Sequence, residues 1–98
     1  MHVRLSRFAG LPPERIDATI EEFREQQLPD LEGQAGFKGV LVMLNRSSGQ
    51  AAALTLWETE ADMHASERLA ARAREAAVAS AQPAREPVVD RYEVVFQK

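Results

Sequence analysis

The chain contains no cysteine, and its 98 residues include one tryptophan and one tyrosine. The absence of cysteine excludes disulfides, thiolate nucleophiles and cysteine-ligated zinc or iron–sulfur centres. Lysine clusters and basic runs are also missing, and the formal net charge is −3. Because nucleic acids and anionic membranes bind to basic surfaces, we expect neither among the partners of this chain.

Long hydrophobic runs are absent as well. No stretch approaches the ~20 apolar residues that span a bilayer. The segment Met1–Arg7 carries charges within its apolar pattern, unlike the hydrophobic region of a signal peptide. A chain of this length is typical of one ordinary domain. We therefore expect residues 1–98 to form a single soluble domain in the cytoplasm.

Hydrophobic periodicity and turn residues divide the sequence into six elements. Strands are predicted at 3–9, 37–44, 51–57 and 88–96, and helices at about 14–28 and 60–80. The order β-α-β-β-α-β is typical of an α+β, ferredoxin-like fold, a four-stranded antiparallel sheet with both helices on one face.

Three local signals refine this prediction. Pro29 predicts a kink or an end of the first helix near Leu28. Thr59 is a suitable cap for the second helix, because its hydroxyl can accept from a first-turn N–H group. The second helix has Ala61, Ala65, Leu69, Ala73 and Ala76 on one side, and the alanines favour a close approach of helix and sheet.

The strand at 37–44 is apolar on both faces. We assign Phe37, Leu41 and Met43 to one face, and Val40, Val42 and Leu44 to the other. The two helices cover only one side of the sheet, so the second apolar face needs another cover. A second copy of the chain is the simplest cover, and the sequence therefore predicts a homodimer.

Several segments resemble the antibiotic-biosynthesis monooxygenase-like superfamily. They are Gly36-Phe37-Lys38-Gly39-Val40, the loop 45–50, the stretch Leu54-Thr55-Leu56-Trp57-Glu58-Thr59-Glu60-Ala61, and the ending Tyr92-Glu93-Val94-Val95. The resemblance implies a dimeric α+β barrel with a small cavity in each subunit between sheet and helices. It also implies cofactor-independent oxygenase chemistry on phenolic or quinol-like compounds.

The haem-degrading branch of that superfamily is a poor match. Its members carry a second tryptophan and a later histidine on the helix that follows the position of Trp57. The corresponding region here has Ser66 and Ala76, and no histidine follows His64. We therefore expect no cofactor.

Five residues are the candidates for contacts with a small aromatic ligand: Gln27, Asn45, Trp57, Ser66 and Tyr92. All of them except Ser66 also have a structural interpretation. Gln27, which points into the apolar arc of the first helix, can instead bond to carbonyls freed by Pro29. Trp57 can instead close one end of the core, with its N–H on a carbonyl. Asn45 is otherwise a turn residue, and Tyr92 can lie at the dimer interface.

His64 is the obvious general base to consider, but helical periodicity places it on the solvent side of the second helix. A metal site from Glu60, His64 and Glu67 would lie on that same exposed face, so no metal is expected. Catalytic residues therefore stay unassigned. The two functional hypotheses are a cofactor-independent monooxygenase and a non-catalytic dimerisation or small-ligand-sensing module.

Overall fold

The computed structural model describes the chain from Met1 to Lys98. Its elements are β1 (His2–Phe8), α1 (Pro13–Glu22), a π-helical turn (Phe23–Gln27), α2 (Leu28–Glu32), β2 (Phe37–Asn45), β3 (Gln50–Trp57), α3 (Glu60–Ala65), α4 (Glu67–Ala81) and β4 (Val88–Glu93). The strands form one antiparallel sheet in the order β2-β3-β1-β4. The predicted ferredoxin-like α+β fold is confirmed. No helix in it combines the length and apolarity needed to cross a membrane.

The helix after β1 is interrupted before Pro29 but does not end there. Proline has no N–H group, so it cannot donate to the carbonyl four residues earlier. The backbone widens into a π-helical turn, in which the N–H of Leu28 donates to the carbonyl of Phe23. Pro29 then lies in the first turn of α2, where its N–H is not needed, and the helix continues to Glu32.

The second helical region begins as predicted and then breaks. The hydroxyl of Thr59 accepts a hydrogen bond from the N–H of Asp62 at 3.0 Å, which confirms the predicted cap. Ser66, at φ −90° and ψ 0°, separates α3 from α4. Ala65 is exposed, whereas Met63 and Ser66 are buried. The predicted apolar side of this helix is therefore wrong near its start, because alanines occur all round it and mark no face strongly.

A β-bulge changes the face on which Phe37 lies. Phe37 is opposite Trp57, and Gly39 is opposite the preceding residue, Leu56, so one extra residue stands between the two pairs. Such an insertion reverses the alternation of side chains. Phe37 consequently packs on the helix side, edge-to-face with Trp57 at a centroid distance of 5.5 Å. The prediction that Phe37 shares a face with Leu41 is wrong for this reason.

The two faces of the sheet differ in their cover. On the helix side, Trp57, Met63 and Leu31 form the centre of the core. The opposite side carries large apolar residues that remain open to solvent: Leu41 is 59 % exposed, Met43 44 %, Val88 52 % and Tyr92 52 %.

Candidate functional site

A cavity of about 110 Å³ lies between the sheet and the helices. Fifteen of its 20 lining residues are hydrophobic. Its walls come from β1, β2 and β3 on one side and from α1, the π-helical turn, α2 and α4 on the other. Val42 lines it and is still 40 % exposed, so the cavity reaches solvent beside the edge strand β2.

Alanine creates this space. Seven alanines line the cavity: Ala51, Ala52, Ala53, Ala70, Ala73, Ala77 and Ala81. An alanine side chain ends at Cβ, so alanines on a strand and on the helix above it leave a volume that larger side chains would fill. The prediction that the alanines bring helix and sheet close together is therefore wrong. They leave a cavity between the two layers instead.

Arg4 is the most deeply buried charged group at the cavity. It is 2 % exposed, and strand alternation directs it to the helix side together with Ser6. Its Nη2 donates to the carbonyl of Met63 at 2.6 Å and to the hydroxyl of Ser66 at 3.0 Å. The guanidinium also lies 5.8 Å from the ring centroid of Trp57. Its Nη1 is buried and has no hydrogen-bond partner.

Glu67 is the carboxylate that compensates Arg4. One of its oxygens lies 3.0 Å from Nη2 of Arg4. Arg91 binds the same carboxylate with two parallel hydrogen bonds of 2.7 Å. These hydrogen bonds, first that of Arg91 and then that of Arg4, lower the pKa of Glu67 to about 2 against the opposing effect of burial. Glu67 is therefore ionised, and both of its oxygens are engaged.

Arg74 on α4 brings a further positive charge to the cavity wall. Its Nη1 is buried and has no hydrogen-bond partner. Burial first, and then the positive charge of Arg4, lower the pKa of Arg74. None of the ion pairs of the chain includes this side chain. Two guanidinium groups thus present unsatisfied N–H groups at one cavity.

Two of the five predicted contact residues lie behind the cavity wall. Trp57 is fully buried, and its indole N–H donates to the hydroxyl of Thr55 at 2.9 Å rather than to a carbonyl. Thr55 itself lines the cavity. Ser66 is 1 % exposed and donates to the carbonyl of Met63 at 2.7 Å. Both side chains therefore support residues that face the cavity, and neither faces it directly.

The other three predicted residues lie apart from one another. Gln27 is half-buried in the π-helical turn and is not among the cavity-lining residues. The side chain of Asn45 accepts hydrogen bonds from Ser47 and from the backbone N–H of Ser48, as a turn residue does. Tyr92 lies on the exposed face of the sheet, opposite Val3. The structure does not bring the five candidates together, and their role in binding stays a prediction.

Sequence reasoning missed the polar residues that do line the cavity, namely Arg4, Ser6, Thr19, Thr55 and Arg74. The alternation in β1 was the available signal, because it places Arg4 and Ser6 on one face of the strand. His64 is exposed, as its periodicity predicts. No three histidine or carboxylate groups converge in a way that could hold a metal ion.

Comparisons with known proteins identify the fold. No family model matches the chain. Two uncharacterized proteins of Mycobacterium tuberculosis, from strains CDC 1551 and H37Rv, are each 42 % identical to it over 53 residues. That match covers 54 % of this chain, and the chain spans about a quarter (24 %) of the length of these curated relatives.

Solved structures match over almost the whole chain. A monooxygenase of Streptomyces coelicolor, solved in complex with nanaomycin D, has a TM-score of 0.73 at 15 % identity, covering 99 % of this chain and 92 % of that one. A dimeric ferredoxin-like protein from an uncultured marine organism has a TM-score of 0.76 at 8 % identity, covering 99 % and 90 %. An antibiotic biosynthesis monooxygenase has a TM-score of 0.70 at 15 % identity, covering 98 % and 100 %. The chain has the fold of the antibiotic biosynthesis monooxygenase-like proteins, as the sequence resemblance implies.

Proposed function

We propose that the chain forms a homodimer whose subunits each bind a small aromatic molecule, and that it oxidises a phenolic or quinol-like compound without a cofactor. The cavity between sheet and helices is the observation that carries this proposal. An apolar cavity of about 150 Å³ can hold benzene, so a volume of about 110 Å³ that opens to solvent suits roughly one aromatic ring.

Cofactor-independent oxidation asks little of the protein. A phenol and O₂ give a quinone and water, so the substrate itself supplies all the electrons that O₂ accepts. One oxygen atom enters the ring and the other leaves as water. The site needs only to bind the substrate, exclude water and stabilise the deprotonated oxygen. Apolar walls interrupted by a few polar groups suit these tasks. The likeness in fold to a monooxygenase solved with nanaomycin D supports an organic ligand.

The exposed apolar face of the sheet supports the homodimer. On the face of the sheet away from the helices, Leu41 and Met43 are exposed on one edge strand, β2, and Val88 and Tyr92 are exposed on the other, β4. After β4, Val95 and Phe96 are 85 % and 81 % exposed. Large apolar side chains exposed on one face of a sheet are typical of a surface that a partner covers, and a structural relative is a dimeric ferredoxin-like protein. A second copy, sheet against sheet, would cover this face.

Filling the cavity tests the function. Ala73→Leu places a larger side chain in the cavity wall, and Ala79→Leu makes the same change at an exposed position of α4. Phenols and quinols should raise the melting temperature of the unmodified chain and of the Ala79 variant by mass action, and not that of the Ala73 variant. Oxygen uptake with the same compounds should follow the same order. Equal uptake by all three proteins, or none by any, would remove the proposal.

One observation favours the alternative, a module that senses a small ligand without transforming it. The cavity wall contains no histidine, carboxylate or tyrosine, so no side chain there is suited to remove a proton from a phenol of ordinary pKa. A sensor needs no such base. Ligand-induced stabilisation without oxygen uptake would favour the sensing module, whereas uptake that depends on the cavity favours the oxygenase.

A further inference from the structure

Three guanidinium groups and one carboxylate form the charged cluster beside the cavity. They are Arg4, Arg74, Arg91 and Glu67. Glu67 already accepts two hydrogen bonds from Arg91 and pairs with Arg4. The exposed Glu75 forms no ion pair with Arg74. The cluster therefore has more positive than negative charge, although buried charges are stable only when they are compensated.

The uncompensated part of this cluster is at the cavity wall. Nη1 of Arg4 and Nη1 of Arg74 are buried and have no partner. A buried N–H group without an acceptor is unfavourable, and more so when it is charged. Both side chains line the cavity, so an acceptor bound inside it lies close to both guanidinium groups.

We infer that the cavity binds an organic anion, whose acidic oxygen accepts hydrogen bonds from Nη1 of Arg4 and Nη1 of Arg74 while its ring lies against the apolar wall. The acidic group is a carboxylate or an ionised phenol, since both present an anionic oxygen, the acceptor that guanidinium groups bind most strongly. This inference rests on the proposed function in one respect, because it places the ligand in the same cavity.

The test compares three one-ring probes: benzoate, which is anionic at neutral pH, 4-nitrophenol, whose ionised form is yellow, and benzamide, which is neutral and similar in shape to benzoate. Their affinities for the full chain are measured by calorimetry. Arg74→Gln is the test variant, and Arg72→Gln is the matched control at an exposed position of the same helix. Benzoate and nitrophenolate should bind more tightly than benzamide. Loss of the Arg74 charge should weaken the two anions about tenfold or more, and the control should leave all three affinities unchanged.

The absorbance of 4-nitrophenol distinguishes a site for a phenolate from a site for a carboxylate. If the site takes a phenolate, binding should lower the apparent pKa of 4-nitrophenol in the unmodified chain and not in the Arg74 variant. If it takes only a carboxylate, benzoate alone should show the dependence on Arg74. Should the Arg74 variant fail to fold, benzoate binding by the unmodified chain still decides, because it should strengthen as the pH rises through the ionisation of the probe near ~4.

Equal affinity for benzamide and for both anions, or anion binding that does not change in Arg74→Gln, overturns the inference. Its failure differs from failure of the proposed function. Oxygen uptake with neutral phenols that is unaffected by Arg74→Gln would leave the oxygenase standing without the anion site. Tight, Arg74-dependent binding of benzoate with no oxygen uptake from any phenol would leave the anion site standing without the oxygenase.

Discussion

Replacing Glu67 with glutamine should destabilise the fold at neutral pH and have little effect in strong acid. Glutamine keeps the size of the side chain and one oxygen acceptor, but removes the negative charge that compensates Arg4 and Arg91. The pKa of Glu67 falls from an ordinary value of 4.5 to about 2 in the folded chain. At 1.36 kcal/mol for each pH unit, this difference sets a ceiling of about 3 kcal/mol. The side chain is 28 % exposed, so solvent screening reduces the expected loss to about 2 kcal/mol.

The sign of the pH dependence follows from the direction of the shift. Between about pH 2 and pH 4.5, the unfolded chain binds a proton at Glu67 that the folded chain does not bind. The stabilisation is therefore complete above about pH 4.5 and is lost as the pH falls through 2. The free energies of unfolding of the two proteins should converge over that window.

Chemical denaturation from pH 2 to pH 7 measures this difference in the free energy of unfolding. Both proteins are compared at one concentration, because the stability of the proposed dimer would depend on concentration. At pH 7 the melting temperature of Glu67→Gln should lie about 10 °C below that of the unmodified chain. Glu75→Gln, on the exposed side of the same helix, is the control and should differ little at any pH. A constant difference between Glu67→Gln and the unmodified chain across the whole range would refute the assignment of Glu67 as the ionised partner of Arg4 and Arg91.

Three further substitutions test the fold and the assembly. Leu41→Glu should give a monomer of 10.9 kDa by light scattering. The control Ala65→Glu, at an exposed helical position, should keep twice that mass. A dimeric Leu41 variant would contradict the sheet-to-sheet interface. Gly36→Ala should lower the free energy of unfolding by about 2 kcal/mol, because φ is +78° and a Cβ there meets an aspartate of α3. In the control Gly33→Ala, the added Cβ makes ordinary contacts of 3.6 Å, so thermal unfolding should show no change in stability. Thr55→Val should lower the free energy of unfolding by about 1–3 kcal/mol, because it leaves the buried indole N–H without an acceptor. Thr55→Ser keeps the hydroxyl and should lower it clearly less. Equal losses in the two variants would show that the hydroxyl does not stabilise the fold.

Local signals predicted most of the fold. The periodicity of apolar residues separated helices from strands, and the element order then permitted few topologies. Thr59 marked a helix start correctly because a cap depends on only four consecutive residues. The apolar pattern on both faces of β2 indicated an uncovered surface, and Leu41 and Met43 are indeed exposed. Each of these properties depends on neighbours in sequence.

The candidate site was far less predictable. Its polar groups come from β1, α1, β3 and α4, which are distant in sequence, so no spacing connects Arg4 with Arg74. An arginine in a sequence is assigned to the surface by default, and only the packing of α3 and α4 on β1 buries Arg4 beside Met63 and Ser66. The alanines gave no reliable face, because a small side chain is compatible with both close packing and a void.

The sequence by itself determined the order of the elements, the cap at Thr59, the interruption of the first helix before Pro29, and the excess of apolar surface on the sheet. These follow from the backbone preferences and side-chain periods of contiguous segments. Only the tertiary structure decided the reversal of Phe37 by the bulge, the cavity between the alanine-rich layers and the two unpaired guanidinium groups beside it. These depend on the distance and rotation between elements, which are set by the packing of many side chains at once rather than by any one segment.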